Sequence, residues 1–124
     1  FLVAEDNEIN AEILTELLKL EGGSCEIAEN GEDAFHKFKD SEPGSFDVIL
    51  MDVQMPVMNG YQATEAIRAC GHPDARTVPI AAMTANAFTE DVENALAAGM
   101  DAHISKPIDM NMLRSTVAKM LEKN

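Results

Sequence analysis

Short runs of apolar residues alternate with segments of helical periodicity along the whole chain. The run at residues 48–51 is continuous in hydrophobicity, as expected of a parallel strand covered on both faces. Similar runs occupy residues 1–4 and 80–83, and weaker ones occupy residues 25–28 and 102–105. Strands that alternate with helical patterns indicate βα units, so the sequence predicts five parallel strands connected by helices.

The remaining segments have the patterns of five amphipathic helices. In the first, apolar residues recur at three- and four-residue steps and are expected to face the sheet: Ile9, Ile13, Leu17 and Leu20. Asn30 is expected to cap the second helix, the third is predicted over residues 61–69, and Gly99 should end the fourth. Asp109 should cap the last helix. With right-handed crossovers, these elements give a doubly wound, three-layer α/β domain.

Composition narrows the partners and the compartment. The 124 residues, 46% of them hydrophobic, suit one domain with a substantial core. The formal net charge of -13 argues against nucleic acid or an anionic membrane as a partner, because both attract Lys and Arg. Cys25 and Cys70 match no metal or redox spacing, and no apolar stretch approaches the roughly 20 residues that cross a bilayer. We therefore expect a cytoplasmic domain with reduced cysteines.

Polar side chains stand at the carboxyl ends of four of the five predicted strands. Glu5 and Asp6 follow the first strand, Asp52 the third, Thr84 the fourth and Lys106 the fifth. Each residue alone has a simple structural explanation, such as a helix cap or a solvated loop. Because the carboxyl ends of parallel strands share one crevice, where such sheets bind ligands, we expect all five side chains to meet there.

The carboxylates among these residues predict a divalent cation in the crevice. Like charges about 4 Å apart repel by about 4 kcal/mol at an effective dielectric constant near 20, so three acids need a counter-ion. Mg²⁺ prefers one or two carboxylates with phosphate and water oxygens, and the three histidines are too dispersed for a zinc site. Mn²⁺ is an alternative ion. A carboxylate beside such an ion can attack phosphorus while Lys106 and Thr84 stabilise the phosphoryl oxygens, and Asp52 is the most central candidate.

The same residues carry a resemblance to the receiver domain of two-component response regulators, which extends over essentially the entire chain. The matching motifs are Val3-Ala4-Glu5-Asp6-Asn7, Asp52-Val53-Gln54-Met55-Pro56 followed by Asn59-Gly60, Met83-Thr84-Ala85, and Lys106-Pro107. The resemblance implies a single flavodoxin-like domain that accepts a phosphoryl group from phosphohistidine in a Mg²⁺-dependent phosphorelay. Such a domain catalyses its own phosphorylation and dephosphorylation and signals by conformational change or by onward transfer.

The resemblance also assigns a metal site and a phosphoacceptor by position. Asp52 would accept the phosphoryl group. The Mg²⁺ ligands would be Asp6, Asp52 and the backbone carbonyl of Gln54, with Glu5 contributing through bound water. Glu5 stands where Asp is the more frequent residue in the family.

Two further roles concern catalysis and switching. Lys106 would pair with the phosphoryl group, and Thr84 would turn its hydroxyl toward it. His103 would be the second residue of the switch with Thr84, although it stands where the family often has Tyr or Phe. If His103 is only an exposed strand residue, the domain is a phosphoryl carrier.

The resemblance is strongest to receivers attached to hybrid sensor histidine kinases, as His103 and residues 83–87 and 98–101 indicate. Because the chain starts at Phe1 without Met and inside a predicted strand, we expect residues 1–124 to be a receiver domain excised from a longer protein. A single-domain regulator and a receiver with an output domain stay open. The implied partner is the phosphohistidine domain of a histidine kinase or a histidine phosphotransfer protein. The location would be cytoplasmic, including the cytosolic part of a membrane-anchored kinase.

Three alternatives are weaker. A haloacid-dehalogenase-like phosphatase needs a second carboxylate two residues after the nucleophile, where this chain has Gln54. A flavodoxin-like electron carrier needs a phosphate-binding loop after the first strand, where residues 5–8 are largely acidic. A receiver kept only as an interaction module would not need Asp52, Thr84 and Lys106 together.

Overall fold

The computed structural model describes residues 1–20, 22–53, 58–84, 89–105 and 110–122, which contain a five-stranded parallel sheet between two layers of helices. In chain order the elements are β1 (Leu2–Ala4), α1 (Glu8–Leu20), β2 (Glu26–Ala28), α2 (Gly31–Lys39), β3 (Ile49–Asp52), α3 (Gly60–Ala69), β4 (Ile80–Thr84), α4 (Thr89–Ala98), β5 (Ala102–Ser105) and α5 (Met110–Glu122). The predicted doubly wound α/β fold is confirmed. None of the described helices is long and apolar enough to span a membrane.

The strand order β2-β1-β3-β4-β5 places β3 in the centre of the sheet. Every neighbouring pair is parallel, and Ala4 pairs with Met51 while Asp52 pairs with Met83. The chain leaves β1 toward one edge and β3 toward the other, so the order reverses between these two strands. Ligands of doubly wound sheets bind beside such a reversal, at the carboxyl ends of the strands.

Alternate residues of the strands supply two separate cores. One lies between the sheet and α2, α3 and α4, and contains Leu2, Ile49, Met51, Ile80 and Ala82 from the strands. The other lies on the side of α1 and α5, and contains Val3, Leu50, Ala81, Met83 and Ile104. Burial on both faces explains why these strands read as continuous apolar runs.

The predicted buried face of α1 is wrong. The residues of α1 that are buried are Ala11, Leu14 and Leu18. Three of the predicted core residues are exposed instead, namely Ile9 (67%), Ile13 (49%) and Leu20 (73%), while Leu17 packs only partly against the core. Both sets of residues follow three- and four-residue steps, so periodicity alone cannot choose between them. We call Ile9, Ile13 and Leu20 the outer row of α1.

The predicted helix ends agree with the structure to within one residue where it describes them. Asn30 caps α2 by accepting a 2.7 Å hydrogen bond from the Asp33 amide. Asn59 caps α3 in a capping box with Gln62, so this helix begins one residue earlier than predicted. Gly99 follows α4 with a φ of +105°, a left-handed conformation that glycine adopts readily. Asp109 lies outside the described residues.

Arg68 of α3 fixes the turn between α4 and β5. Its guanidinium donates hydrogen bonds to the carbonyl oxygens of Gly99 (3.0 Å) and Val78 (2.7 Å) and to the carboxylate of Asp101 (2.9 Å). The same carboxylate accepts from the Ile80 amide at 2.9 Å. Burial lowers the pKa of Arg68, while the charge and hydrogen bond of Asp101 act in the opposite direction. The C-terminal end of α4 is therefore held to α3 and to the start of β4.

Candidate functional site

Three of the predicted site residues are buried at the carboxyl edge of the sheet. Glu5 directly follows β1 and is 2% exposed, Asp52 ends β3 and is 3% exposed, and Thr84 ends β4 and is 6% exposed. Among the described residues, Thr64 is the only other buried polar side chain. Polar groups tend to stay in water unless they are hydrogen-bonded or functional, so this concentration at one edge marks a site.

The structure brings the carboxylates of Glu5, Asp6 and Asp52 together. One carboxylate oxygen from each residue lies within 4.8 Å of the other two. Asp6 is exposed, so the cluster has one side open to solvent and two members buried. Three negative charges at this separation repel one another, and a divalent cation is the simplest group that would balance them.

The donor set of this cluster fits a hard cation. The ligand atoms are carboxylate oxygens, which suit Mg²⁺ and leave several positions for water or phosphate. No His or Cys takes part in the cluster, so its chemistry does not favour zinc. The residues therefore could hold a metal ion of the kind that the sequence predicts.

Asn10 belongs to the site and was missed from the sequence. Its side-chain amide donates a 2.9 Å hydrogen bond to Oε1 of Glu5. The preceding Asn7 caps α1 by accepting from the amides of Ile9 (2.9 Å) and Asn10 (3.1 Å), which fixes the first turn of the helix. The carboxylate of Glu5 is thus oriented by the helix that follows it. The only signal in the sequence was an Asn about one helical turn after the acidic pair, and an Asn at that position is equally expected of an exposed helical residue.

Thr84 and His103 lie on neighbouring strands but in different surroundings. Thr84 ends β4 in register with Ser105, whereas His103 pairs with Ala82 and is exposed. Because strand side chains alternate between faces, His103 points to the side of the sheet opposite to the buried Ile104. Lys106 and Gln54 lie outside the described residues, so their predicted roles stay predictions.

Replacement of Asp6 by Asn should weaken the metal site and strengthen the metal-free fold. One fewer negative charge lowers the repulsion with Glu5 and Asp52, and we expect about 0.5 kcal/mol of added stability without metal because Asp6 is exposed and screened. With excess Mg²⁺ the wild type should gain more stability than the variant, since the stabilisation by a bound metal rises with the logarithm of its affinity. Thermal melts with chelator and with Mg²⁺ measure both effects.

Asp47→Asn is the matched control for this prediction, because Asp47 is an exposed carboxylate before the opposite end of β3. It should respond to Mg²⁺ like the wild type. A metal-free Asp6→Asn protein less stable than wild type would contradict the repulsion between the three acids.

Comparison with known proteins agrees with this fold. The family model described as the response regulator receiver domain matches residues 1–118. "Hybrid signal transduction histidine kinase I" of Dictyostelium discoideum is 37% identical over 99% of this chain and 7% of its own length. "Sensor histidine kinase RcsC" of Salmonella typhimurium is 36% identical over 98% of this chain and 12% of its own length.

Solved structures of receiver domains and chemotaxis proteins are similar to this chain in three-dimensional fold. The receiver domain of the sensor histidine kinase PA1611 from Pseudomonas aeruginosa, described with a magnesium ion in its active-site cleft, superposes with a TM-score of 0.87 at 35% identity, covering 98% of this chain and 95% of that one. The chemotaxis protein CheY4 of Vibrio cholerae gives a TM-score of 0.87 at 28% identity, covering 97% and 96%.

This chain therefore belongs to the response regulator receiver domain family of two-component signalling systems. Its relatives include receiver regions of hybrid sensor histidine kinases, as the resemblance of the sequence implied. The alternative of a haloacid-dehalogenase-like phosphatase finds no support. The chain spans only 7% and 12% of the lengths of the two kinases named above.

Proposed function

We propose that this receiver domain accepts a phosphoryl group on the carboxylate of Asp52, with Mg²⁺ held beside it. The observation that carries the proposal is the meeting of the buried Asp52 with Glu5 and Asp6 within 4.8 Å at the carboxyl edge of the sheet. A buried carboxylate at the end of the central strand, next to two further acids, is suited to a phosphoryl acceptor.

The chemistry assigned to these residues is a direct transfer. A carboxylate oxygen of Asp52 forms a bond to phosphorus while the bond from phosphorus to the donor breaks, and the donor's imidazole leaves with the electron pair and takes up a proton. Mg²⁺, when bound, supplies positive charge that offsets the carboxylates and the phosphoryl oxygens. Its ligands would be Asp6, Asp52 and the Gln54 carbonyl, with Glu5 contributing through bound water, and Mn²⁺ would suit the same oxygens.

The remaining residues would stabilise the phosphoryl group and later help to remove it. Thr84 is buried at the end of β4, next to β3, where its hydroxyl is suited to bind a phosphoryl oxygen on Asp52. Lys106 would provide a positive charge, as its position after β5 predicts. The domain would then catalyse its own phosphorylation and the later hydrolysis of the acyl phosphate, without acting as an enzyme on other molecules.

Incubation with a small phosphodonor tests this function without any partner protein. With acetyl phosphate and Mg²⁺, the protein should gain one phosphoryl group that is stable to acid and labile to base, as an acyl phosphate is. Removal of Mg²⁺ by a chelator should prevent the reaction. Intact mass spectrometry at neutral and alkaline pH gives both results, and labelling that persists without a divalent cation would contradict the metal's role.

We further propose that residues 1–124 are the receiver domain of a longer hybrid histidine kinase. Two observations support this assignment: the relatives are hybrid or sensor histidine kinases, and the chain spans only a small share of their lengths. The phosphodonor would be a phosphohistidine, either in the kinase's own dimerisation domain or in a histidine phosphotransfer protein. A cytoplasmic location stays a prediction.

The outer row of α1 is the surface that we propose for docking of the phosphohistidine partner. α1 begins at Glu8, directly after the carboxylates, so Ile9 and Ile13 stand on the helix that borders the site. Exposed acids at Glu12 and Glu16 lie beside this row. A partner whose phosphohistidine stands on an apolar surface with basic residues at its rim would complement the row in shape and charge.

A conformational switch through Thr84 and His103 is a further part of the proposal. A phosphoryl group adds roughly 1.5 to 2 negative charges and three acceptor oxygens, which should draw the Thr84 hydroxyl toward Asp52. The space that Thr84 leaves would admit the ring of His103 from the exposed side of β5. The surface formed by α4, β5 and α5 would then change.

Structures with and without beryllofluoride, which mimics the phosphoryl group, test this switch. We expect Thr84 to move toward Asp52 and His103 to turn inward, while the end of α4 held by Arg68 stays fixed. If Thr84 moved and both His103 and α4 kept their positions, the domain would be a phosphoryl carrier without conformational output.

A further inference from the structure

Helices α2 and α3 begin with the same dipeptide, and both helix starts contact the connection that follows Asp52. Asn30 and Asn59 are the caps, and Gly31 and Gly60 are the first helical residues. The amide of a first helical residue has no acceptor within its own helix. Here the Gly31 amide donates to the Met58 carbonyl and the Gly60 amide donates to the Val53 carbonyl, both at 3.0 Å.

Neither glycine leaves room for a side chain. A Cβ atom on Gly60 would lie 2.4 Å from the carbonyl oxygen of Asp52 and 2.9 Å from Cα of Val53. A Cβ atom on Gly31 would lie 2.3 Å from the carbonyl oxygen of Met58. Carbon and oxygen atoms that are not bonded do not approach so closely, and the atoms in question belong to the main chain, which cannot rotate away.

The need for glycine at these two positions comes from close contact rather than from backbone conformation. The glycines with positive φ are Gly22, Gly44 and Gly99, and the first two have no atom within 4 Å of an added Cβ. Gly31 and Gly60 show the opposite combination, with φ outside the left-handed region and backbone atoms in contact. The lack of a side chain at Gly31 and Gly60 therefore allows the starts of α2 and α3 to pack closely against the main chain that follows Asp52.

We propose that Gly60 and Gly31 are positioning residues for the carboxylate of Asp52, an inference that rests on the proposed function of this site. The start of α3 is itself fixed, because the buried Thr64 donates a 2.8 Å hydrogen bond from its hydroxyl to the Gly60 carbonyl. On the other side, the Val53 amide donates to the Met83 carbonyl at 3.1 Å. The main chain of Asp52 is held between these two anchors.

The metal site would then be sensitive to a single methyl group that does not touch the metal. A Cβ at residue 60 must displace either the helix start or the end of β3. Asp52 would share a cation with Glu5 and Asp6, which follow β1. A shift of β3 alone would therefore change the separation of the ligands. Groups that orient metal ligands typically change affinity by about 10- to 100-fold when they are altered.

Calorimetric titration of Gly60→Ala with MgCl₂, at a temperature where circular dichroism shows the protein to be folded, tests the inference. We expect about 10-fold weaker Mg²⁺ binding than in the wild type. Gly71→Ala is the matched control, because a Cβ at that exposed glycine meets nothing within 4 Å and its φ is not positive. Its affinity should equal that of the wild type.

Thermal melts without metal test whether an added Cβ at residue 60 clashes with the neighbouring main chain. An alanine that fits its site stabilises a protein by restricting the unfolded chain, so Gly71→Ala should melt at or above the wild-type temperature. Gly60→Ala should melt below it. If Gly60→Ala did not fold, Gly31→Ala provides the second variant, because its Cβ meets Met58 rather than Asp52. Its Mg²⁺ affinity should fall in the same direction by a smaller factor.

Two results would overturn the positioning role. One is a Gly60→Ala or Gly31→Ala protein that melts lower but binds Mg²⁺ as tightly as the wild type, which would leave the glycines with a purely structural role. The other is a melting temperature of Gly60→Ala equal to or above that of the wild type. Failure of the wild-type protein itself to bind Mg²⁺ would contradict the proposed function of the site, and is thereby distinguishable from both.

Discussion

Asp52→Asn should reduce the Mg²⁺-dependent gain of a phosphoryl group from acetyl phosphate by about 100-fold or more. Asparagine has nearly the same shape as aspartate, so the buried end of β3 keeps its packing while the nucleophilic oxygen is lost. We expect neither Glu5 nor Asp6 to substitute for it, because both follow β1 and would hold the metal. The rate of phosphorylation measured by intact mass spectrometry gives the comparison.

The same assay needs a control that removes a carboxylate from the same region of the sequence without touching the site. Asp47→Asn serves this purpose, because Asp47 is exposed and precedes the amino end of β3. Its rate should match that of the wild type. Equal rates for Asp52→Asn and the wild type would assign the phosphoryl group to another residue.

Substitutions in the outer row of α1 should slow phosphoryl transfer from a protein donor but not from a small-molecule donor. Ile9→Ser with Ile13→Ser should lower the rate from a phosphorylated histidine phosphotransfer domain by about 10-fold or more, since apolar anchors at the centre of an interface contribute most of its binding energy. The rate from acetyl phosphate should stay within about twofold of the wild type, because a small donor needs no docking surface. Ile9 is 67% exposed and Ile13 is half-exposed, so folding should be little affected.

Leu96→Ser is the control for this second prediction, because Leu96 is equally apolar and 60% exposed but lies on α4. It should leave both rates unchanged. Leu20→Ser, at the far end of the outer row, should have a smaller effect than Ile13→Ser because Leu20 lies farther from Asp52 along the helix. An equal loss with both donors would mean that the substitutions disturb the site itself, and no loss with the protein donor would exclude this docking surface.

The strands could be predicted because a strand that is buried on both faces consists of a continuous run of apolar residues. The predicted strand boundaries differ from the observed ones by at most one residue, as for β3, which ends at Asp52 rather than before it. The face of α1 could not be predicted in the same way. Two rows with the same spacing compete along this helix, and the row with the larger side chains is exposed while the row with Ala11 is buried.

The meeting of Glu5, Asp6 and Asp52 followed from topology, because residues at the carboxyl ends of parallel strands share one edge. The contacts that orient these carboxylates did not follow from topology. The hydrogen bond from Asn10 to Glu5 depends on the first turn of α1, and the contact of Gly60 with the Asp52 carbonyl depends on the packing of α3. Both are distances between elements, and sequence spacing contains no measure of them.

Reductive trapping of the phosphorylated protein identifies the residue that carries the phosphoryl group. Borohydride reduces an acyl phosphate on aspartate to homoserine, which peptide mass spectrometry can locate in the sequence. After reaction with acetyl phosphate and Mg²⁺, we expect homoserine at residue 52 and aspartate at residues 6 and 47. Homoserine at another position, or a phosphorylated protein that yields none, would contradict the assignment of Asp52 as the phosphoacceptor.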